Sequence, residues 1–126
     1  MSNRIRISSE EAPRPAGPFS QAIRVGDLLF LAGQGPFAPD GSFVGGSVAN
    51  QTRQTLTNLD AVARAGGGSL ARAVRVGVYL TSLESFAEMN ATYAEFFEEP
   101  FPARTTIQSD LIGFDVEIDA VVWLGT

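Results

Sequence analysis

Ala73-Val74-Arg75-Val76-Gly77-Val78-Tyr79-Leu80 is the stretch on which the fold turns. Its period of two puts Val74, Val76, Val78 and Leu80 on one face and Arg75, Gly77 and Tyr79 on the other, which predicts a strand. On both sides of it the apolar spacing is helical. Upstream, Val48, Thr52, Thr55/Leu56, Leu59 and Val62/Ala63 recur every three or four residues until Gly66-Gly67-Gly68, predicting a helix over 48–65. Downstream, Ser85-Phe86-Ala87-Glu88 matches a capping box, and Phe86, Met89, Tyr93, Phe96 and Phe97 follow at helical spacing as far as Pro100, predicting a helix over 85–98. Short strands are expected at 4–8, 20–25, 27–32, 105–110 and 115–123, with Gly26-Asp27 turning a hairpin and Pro39-Asp40-Gly41 marking a later turn. Glu11 to Pro18 contains Pro13, Pro15 and Pro18 and reads as a stiffened loop. The order βββαβαββ, in a single domain spanning 1–126, predicts an α+β fold: a mixed six-stranded sheet with two helices on one face.

Two helices leave the other face of such a sheet bare. Leu28-Leu29-Phe30-Leu31-Ala32 is apolar on both faces, and Val121 and Trp123 share a face with Glu117 and Asp119. Large exposed apolar patches are rare on soluble monomers, so a closed homo-oligomer packed sheet face to sheet face is expected.

The 126 residues are 44% hydrophobic, enough to bury roughly two-thirds of the surface the unfolded chain exposes. The sequence has no His, no Cys and no Lys, since all nine basic residues are Arg. That rules out Ser-His-Asp and Cys-His nucleophiles, Schiff-base lysines, phosphate-loop lysines and zinc sites of His and Cys. Any chemistry must come from carboxylates, Arg, hydroxyls, backbone groups and water. A net charge of −5 argues against a nucleic-acid partner, which needs a basic stripe to release counterions. The first eleven residues carry Arg4, Arg6, Glu10 and Glu11 and lack the apolar centre of a signal peptide. No apolar run exceeds five residues, as in Leu28 to Ala32, far short of a membrane span. A cytoplasmic protein with no membrane or nucleic-acid partner is expected.

Several motifs carry little. Gly33-Gln34-Gly35 lacks dinucleotide-loop spacing, and Gly66 to Gly68 ends a helix where a phosphate loop opens one. The sequons at Asn50 and Asn90 fall inside predicted helices. Glu10-Glu11 and Glu98-Glu99 read as solvated charge, and no metal site is expected. Asn90 lies near the apolar stripe of Phe86, Tyr93 and Phe97, where it can serve a loop's backbone groups or a ligand. The strongest constellation is Phe101-Pro102-Ala103-Arg104-Thr105-Thr106 with Val116-Glu117-Ile118-Asp119-Ala120. Arg104 opens a strand after a Pro-containing turn, where its fork can hold a carboxylate, and Glu117 projects opposite Val116 and Ile118. On spacing alone, an Arg and a Glu on neighbouring strands are more commonly a surface ion pair than a site.

Taken together, Gly17-Pro18-Phe19-Ser20-Gln21-Ala22, Ala32-Gly33-Gln34, Gln51-Thr52-Arg53-Gln54 through Asn58-Leu59, Met89 to Phe97, Pro102-Ala103-Arg104 and Val116-Glu117-Ile118 resemble, in order and over nearly the whole chain, the reactive intermediate deaminases, the Rid or YjgF-like family. The resemblance implies a chorismate-mutase-like fold and a homotrimer with three clefts between subunits. It implies hydrolytic deamination of 2-imino acids or enamines, such as 2-iminobutanoate and 2-iminopropanoate, to 2-keto acids and ammonia, without a cofactor. Arg104 matches the Arg that binds the small-molecule carboxylate substrate, and Glu117 matches the Glu that handles the attacking water. Phe19, Ala32, Asn90 and Thr106 fall on the family's substrate-binding positions. An imine is already electrophilic and needs mainly orientation, a held water and modest proton traffic, which suits a chain without His or Lys.

The sequence departs from the family pattern at several of these positions. The usual Tyr is Phe19, the usual Ser before Gly-Gln is Ala32, the usual Ser-Cys is Thr105-Thr106, and the loop 110–115 is about two residues short. Together these changes make the pocket less polar and reshape its rim. Two alternatives follow: a non-catalytic binder of small carboxylates, or a related hydrolase acting on a larger, less polar imine in a specialised pathway.

Overall fold

The structure, a computed structural model, describes residues 3–125. Six strands are present: β1 (Ile5–Ile7), β2 (Ala22–Val25), β3 (Leu28–Gln34), β4 (Ala73–Leu80), β5 (Ala103–Gln108) and β6 (Val116–Trp123). Two helices, α1 (Val48–Ala65) and α2 (Phe86–Tyr93), complete the βββαβαββ order. The sheet runs β1-β2-β3-β6-β4-β5, and only β4 and β5 are parallel. It is the expected mixed sheet.

α1 forms where the sequence places it. Ser47 caps it by accepting from Asn50 N–H, and at the other end Gly67 and Gly68 N–H close back onto Arg64 and Ala63 carbonyls. Its apolar stripe, Leu56, Leu59, Val62 and Ala63, is buried against the sheet face made by Leu29, Leu31, Val76, Val78, Val116, Ile118, Ala120 and Val122. Each such Leu or Val side chain contributes about 1.5–3 kcal/mol by leaving water.

Three local expectations are corrected. Val74 does not join Val76 and Val78 in the core: the β4–β6 register shifts between Ala73 and Arg75, so Ala73 turns inward and Val74 is left 46% exposed. Ser85 and Glu88 do not form a capping box, because Ser85 makes no side-chain cap bond, and Glu88 Oε2 accepts from Ala49 N–H at the start of α1. α2 stops at Tyr93, five residues short of Glu98, and gives way to a 3₁₀ turn over Ala94–Phe96. Extended backbone at Phe97 then lays its ring against Tyr93, centroids 4.5 Å apart, and this tertiary contact ends the helix without a local breaker.

The other sheet face carries Leu28, Phe30, Ile107 and Trp123, all exposed, beside Arg75, Tyr79, Glu117 and Asp119. Among the described residues no helix is long and apolar enough to cross a membrane.

Candidate functional site

Arg104 and Glu117 do not sit on neighbouring strands, because β4 runs between β5 and β6. Nor do they share a face. Arg104 pairs with Val76 and therefore points to the helix side, whereas Glu117 pairs with Tyr79 and points to the open side. Each belongs to a separate cleft.

The helix-side cleft, about 250 Å³, is lined by Asn90, Tyr93, Ala94, Phe101, Pro102 and Arg104. The Arg104 guanidinium lies over the Tyr93 ring, 4.5 Å from its centroid, and 5.5 Å from that of Phe86. Stacking of this kind holds the fork with roughly 0.5–1 kcal/mol and uses none of its N–H donors. No carboxylate pairs with Arg104 among the described residues. Burial pushes the Tyr93 hydroxyl above its ordinary pKa, against the opposing pull of the Arg104 charge. Two residues along β5, Thr106 faces the same side with its buried hydroxyl unpartnered. Thr106 lines neither this cleft nor the one on the open side; the Arg fork and the Asn90 amide suit a small carboxylate.

The open-side cleft, about 380 Å³, holds Glu117 among Phe19, Gly33, Gln34, Phe37 and Phe114, with Arg14 and the prolines of the stiffened loop at its rim. Burial, and secondarily the charge of Asp119, raises the Glu117 pKa above its ordinary value. Asp119 accepts from Gly77 N–H at 3.1 Å and from the Tyr79 hydroxyl at 3.0 Å. The β3–β6 register shift between Leu31 and Gln34 lays Gly33 backbone against Glu117, so close that a Cβ there would stand 2.7 Å from Oε2. Ala32, next to it, lines neither cleft.

Several residues that build this second cleft carry no signal in a family motif for catalysis. Asn58 Nδ2 donates to the carbonyls of Gly35 (3.1 Å) and Phe37 (2.8 Å). Gln51 Oε1 accepts from Asp115 N–H at 2.8 Å, and its Nε2 donates to Asp115 Oδ2 at 3.0 Å. Gln21 fastens the proline loop, accepting from Ser9 N–H and donating to the carbonyls of Ser9 and Pro13. All three lie in the stretches that carry the family resemblance, and Gln51 and Asn58 are also polar on the apolar side of an amphipathic helix, where a buried amide must find partners.

A mixed sheet helix-covered on one side, with a guanidinium cleft on that side and a carboxyl cleft on the other, places the chain in the class of L-PSP/YjgF-fold proteins. The family profile described as Endoribonuclease L-PSP matches residues 9–124. The chain belongs to that family, the Rid or YjgF-like proteins. It is 45% identical over 120 residues to a RutC family protein of Pyrococcus horikoshii, covering 93% of this chain and 95% of the relative. It is 37% identical over 108 residues to a Dermatophagoides farinae protein named 2-iminobutanoate/2-iminopropanoate deaminase, covering 85% and 84%. The crystal structure of RidA from an Antarctic Psychrobacter superposes with a TM-score of 0.89 at 34% identity, covering 94% of this chain and 98% of that one.

Proposed function

We propose that the protein hydrolyses 2-imino acids to 2-keto acids and ammonia in clefts shared between the subunits of a homotrimer. The observation that carries this reading is the division of labour across the sheet: a guanidinium with no acidic partner among the described residues on one side, and a carboxyl in an aromatic cleft, its pKa raised by burial, on the other. One chain cannot bring the two to one small substrate, because the sheet lies between them. A neighbouring subunit laid on the open face can.

Arg104 binds the carboxylate and thereby fixes C2 of the imine. Protonated Glu117 gives its proton to the imine nitrogen and, as the carboxylate, takes a proton from water as the C2–O bond forms. It passes that proton to the amino nitrogen of the tetrahedral adduct, the C–N bond breaks to release ammonia, and the hydroxyl proton returns to Glu117, leaving the ketone. The reaction adds one water and releases one ammonia, with no electron transferred and no covalent enzyme intermediate. Orientation and one acid-base group are sufficient for it.

The test generates imino acids with a pyridoxal-phosphate dehydratase or an amino-acid oxidase, with semicarbazide present to capture free imine. Added protein should raise the yield of free keto acid, and Arg104→Ala should abolish the effect without changing the oligomer. No acceleration with any of several amino acids would overturn the reading.

A second reading, a non-catalytic carboxylate binder, is favoured by the hydroxyls missing at Phe19 and Ala32. Small carboxylates would then raise the Tm with no turnover. A ribonuclease, as the family description suggests, is disfavoured by the net charge of −5; absence of RNA binding at low salt would dismiss it.

A further inference from the structure

The geometry points to an aromatic or bulky apolar side chain on the preferred imino acid, held by a Phe19–Phe37–Phe114 wall around Glu117. This inference rests on the deaminase reading and adds the substrate class. If Glu117 serves C2, a side chain on C2 lies within a few ångströms of it and meets the walls of the Glu117 cleft.

Those walls are aromatic. Phe37 and Phe114 meet edge to face with centroids 5.3 Å apart. Gly35 beneath them has no room for a Cβ, which would stand 3.0 Å from the Phe37 ring and 3.1 Å from the Phe114 ring. Both rings are therefore seated by design of the backbone, and Asn58 fixes the Phe37 carbonyl from below at 2.8 Å. Phe19, on the far wall, is 52% exposed, a large apolar surface left open at a cleft mouth. Of the polar side chains of the cleft, Gln21 spends its amide on Ser9 and Pro13 backbone. Around Glu117 the large side chains are Phe19, Phe37 and Phe114, with Gln34 and Arg14 as the other polar ones.

Size agrees. At no more than ~30 Å³ per heavy atom, by comparison with water, the six heavy atoms of a three-carbon imino acid fill under half of the 380 Å³ cleft. The twelve heavy atoms of the phenylalanine-derived imine, at most ~360 Å³ on the same count, still fit within it. A benzyl group seated edge to face on Phe37 and Phe114 gains ring contacts that a methyl group cannot make.

The experiment compares kcat/KM for imines generated by an L-amino-acid oxidase from phenylalanine, leucine and alanine. The phenylalanine-derived imine should be preferred over the alanine-derived one by about tenfold or more, and Phe37→Leu and Phe114→Leu should each lower that ratio. Thermal melts verify that the variants fold. A wild-type ratio at or below one, or a ratio unmoved by both variants, overturns the inference. If no imine is turned over, the deaminase reading fails by itself, and the wall is then judged by binding of the keto acids. Phenylpyruvate bound about tenfold tighter than pyruvate, with the difference lost in Phe37→Leu, supports the aromatic wall; equal binding overturns it.

Discussion

Gly33 decides where the Glu117 carboxyl can lie. A methyl group at this position would stand 2.7 Å from Oε2 and 3.1 Å from Cδ, so the carboxyl must swing away, while the flexible side chain absorbs the clash at small cost to the fold. Gly33→Ala should therefore lower keto-acid release about tenfold or more while moving the Tm little, because misplacing a catalytic group by an ångström is expensive in rate. Glu117 also leaves a mark on stability. Burial first and Asp119 second raise its pKa above the ordinary 4.5, so the folded state holds the proton more tightly than the unfolded one. Its contribution to stability is then fully present below 4.5 and is lost as pH rises through the raised folded value. Denaturant midpoints measured from acid to neutral pH should fall more steeply for the wild type than for Glu117→Gln. Arg104 was legible as a candidate from the Pro-containing turn it follows and Glu117 from its alternation with Val116 and Ile118, and the family resemblance set both apart from a surface ion pair. Their placement on opposite faces was not, since it depends on β4 entering between β5 and β6 and on the register it imposes. Phe37 and Phe114 were illegible for a different reason: they lie in loops without periodicity, and the groups that help hold those loops include Asn58, Gln54 and Gln51, on a helix far away in sequence.

At the scale of elements, α1 is both a core helix and the bracket for the open-side cleft. Its apolar stripe packs on the sheet, and Gln51, Gln54 and Asn58 reach the loops that carry Phe37 and Phe114 at the ends of β3 and β6. Gln51→Ala would leave the Asp115 N–H without its partner and should cost about 1–3 kcal/mol in chemical denaturation. Thr57→Ala, which removes only an exposed hydroxyl bonded to the Arg53 carbonyl, should stay within about 0.5 kcal/mol of wild type. α1 and β4 could be bounded to the residue from sequence because their signals are local: a 3.6 period closed by three glycines, then strict alternation. Where the signal is tertiary, the sequence reading misleads. Glu88 suits a capping box locally, yet the nearby N-terminus of α1 takes its carboxylate. Val74 fits the alternation, yet a bulge against β6 turns it out to solvent. Nothing between Ala94 and Phe97 breaks a helix, yet packing of Phe97 on Tyr93 does so.

The whole molecule presents one finished face and one unfinished one. Phe30 is 45% exposed and Trp123 41% exposed on the side away from the helices, next to Leu28 and Ile107, while Glu117 opens on the same side. The proposed trimer, closed through this face, would cover that apolar surface and bring the Arg104 cleft of one subunit toward the Glu117 cleft of the next, and its mass by light scattering should be three times the 13.4 kDa of the chain. A sharper test separates a shared site from one complete within each chain. Arg104→Ala and Glu117→Gln subunits, each inactive alone, are unfolded together in equal amounts and refolded. In a cyclic trimer every mixed assembly has one junction where an intact Arg104 meets an intact Glu117, and three-quarters of random assemblies are mixed, so about a quarter of wild-type activity should return. A site contained within one chain has no intact pair in any assembly, and the mixture would then stay as inactive as its parents.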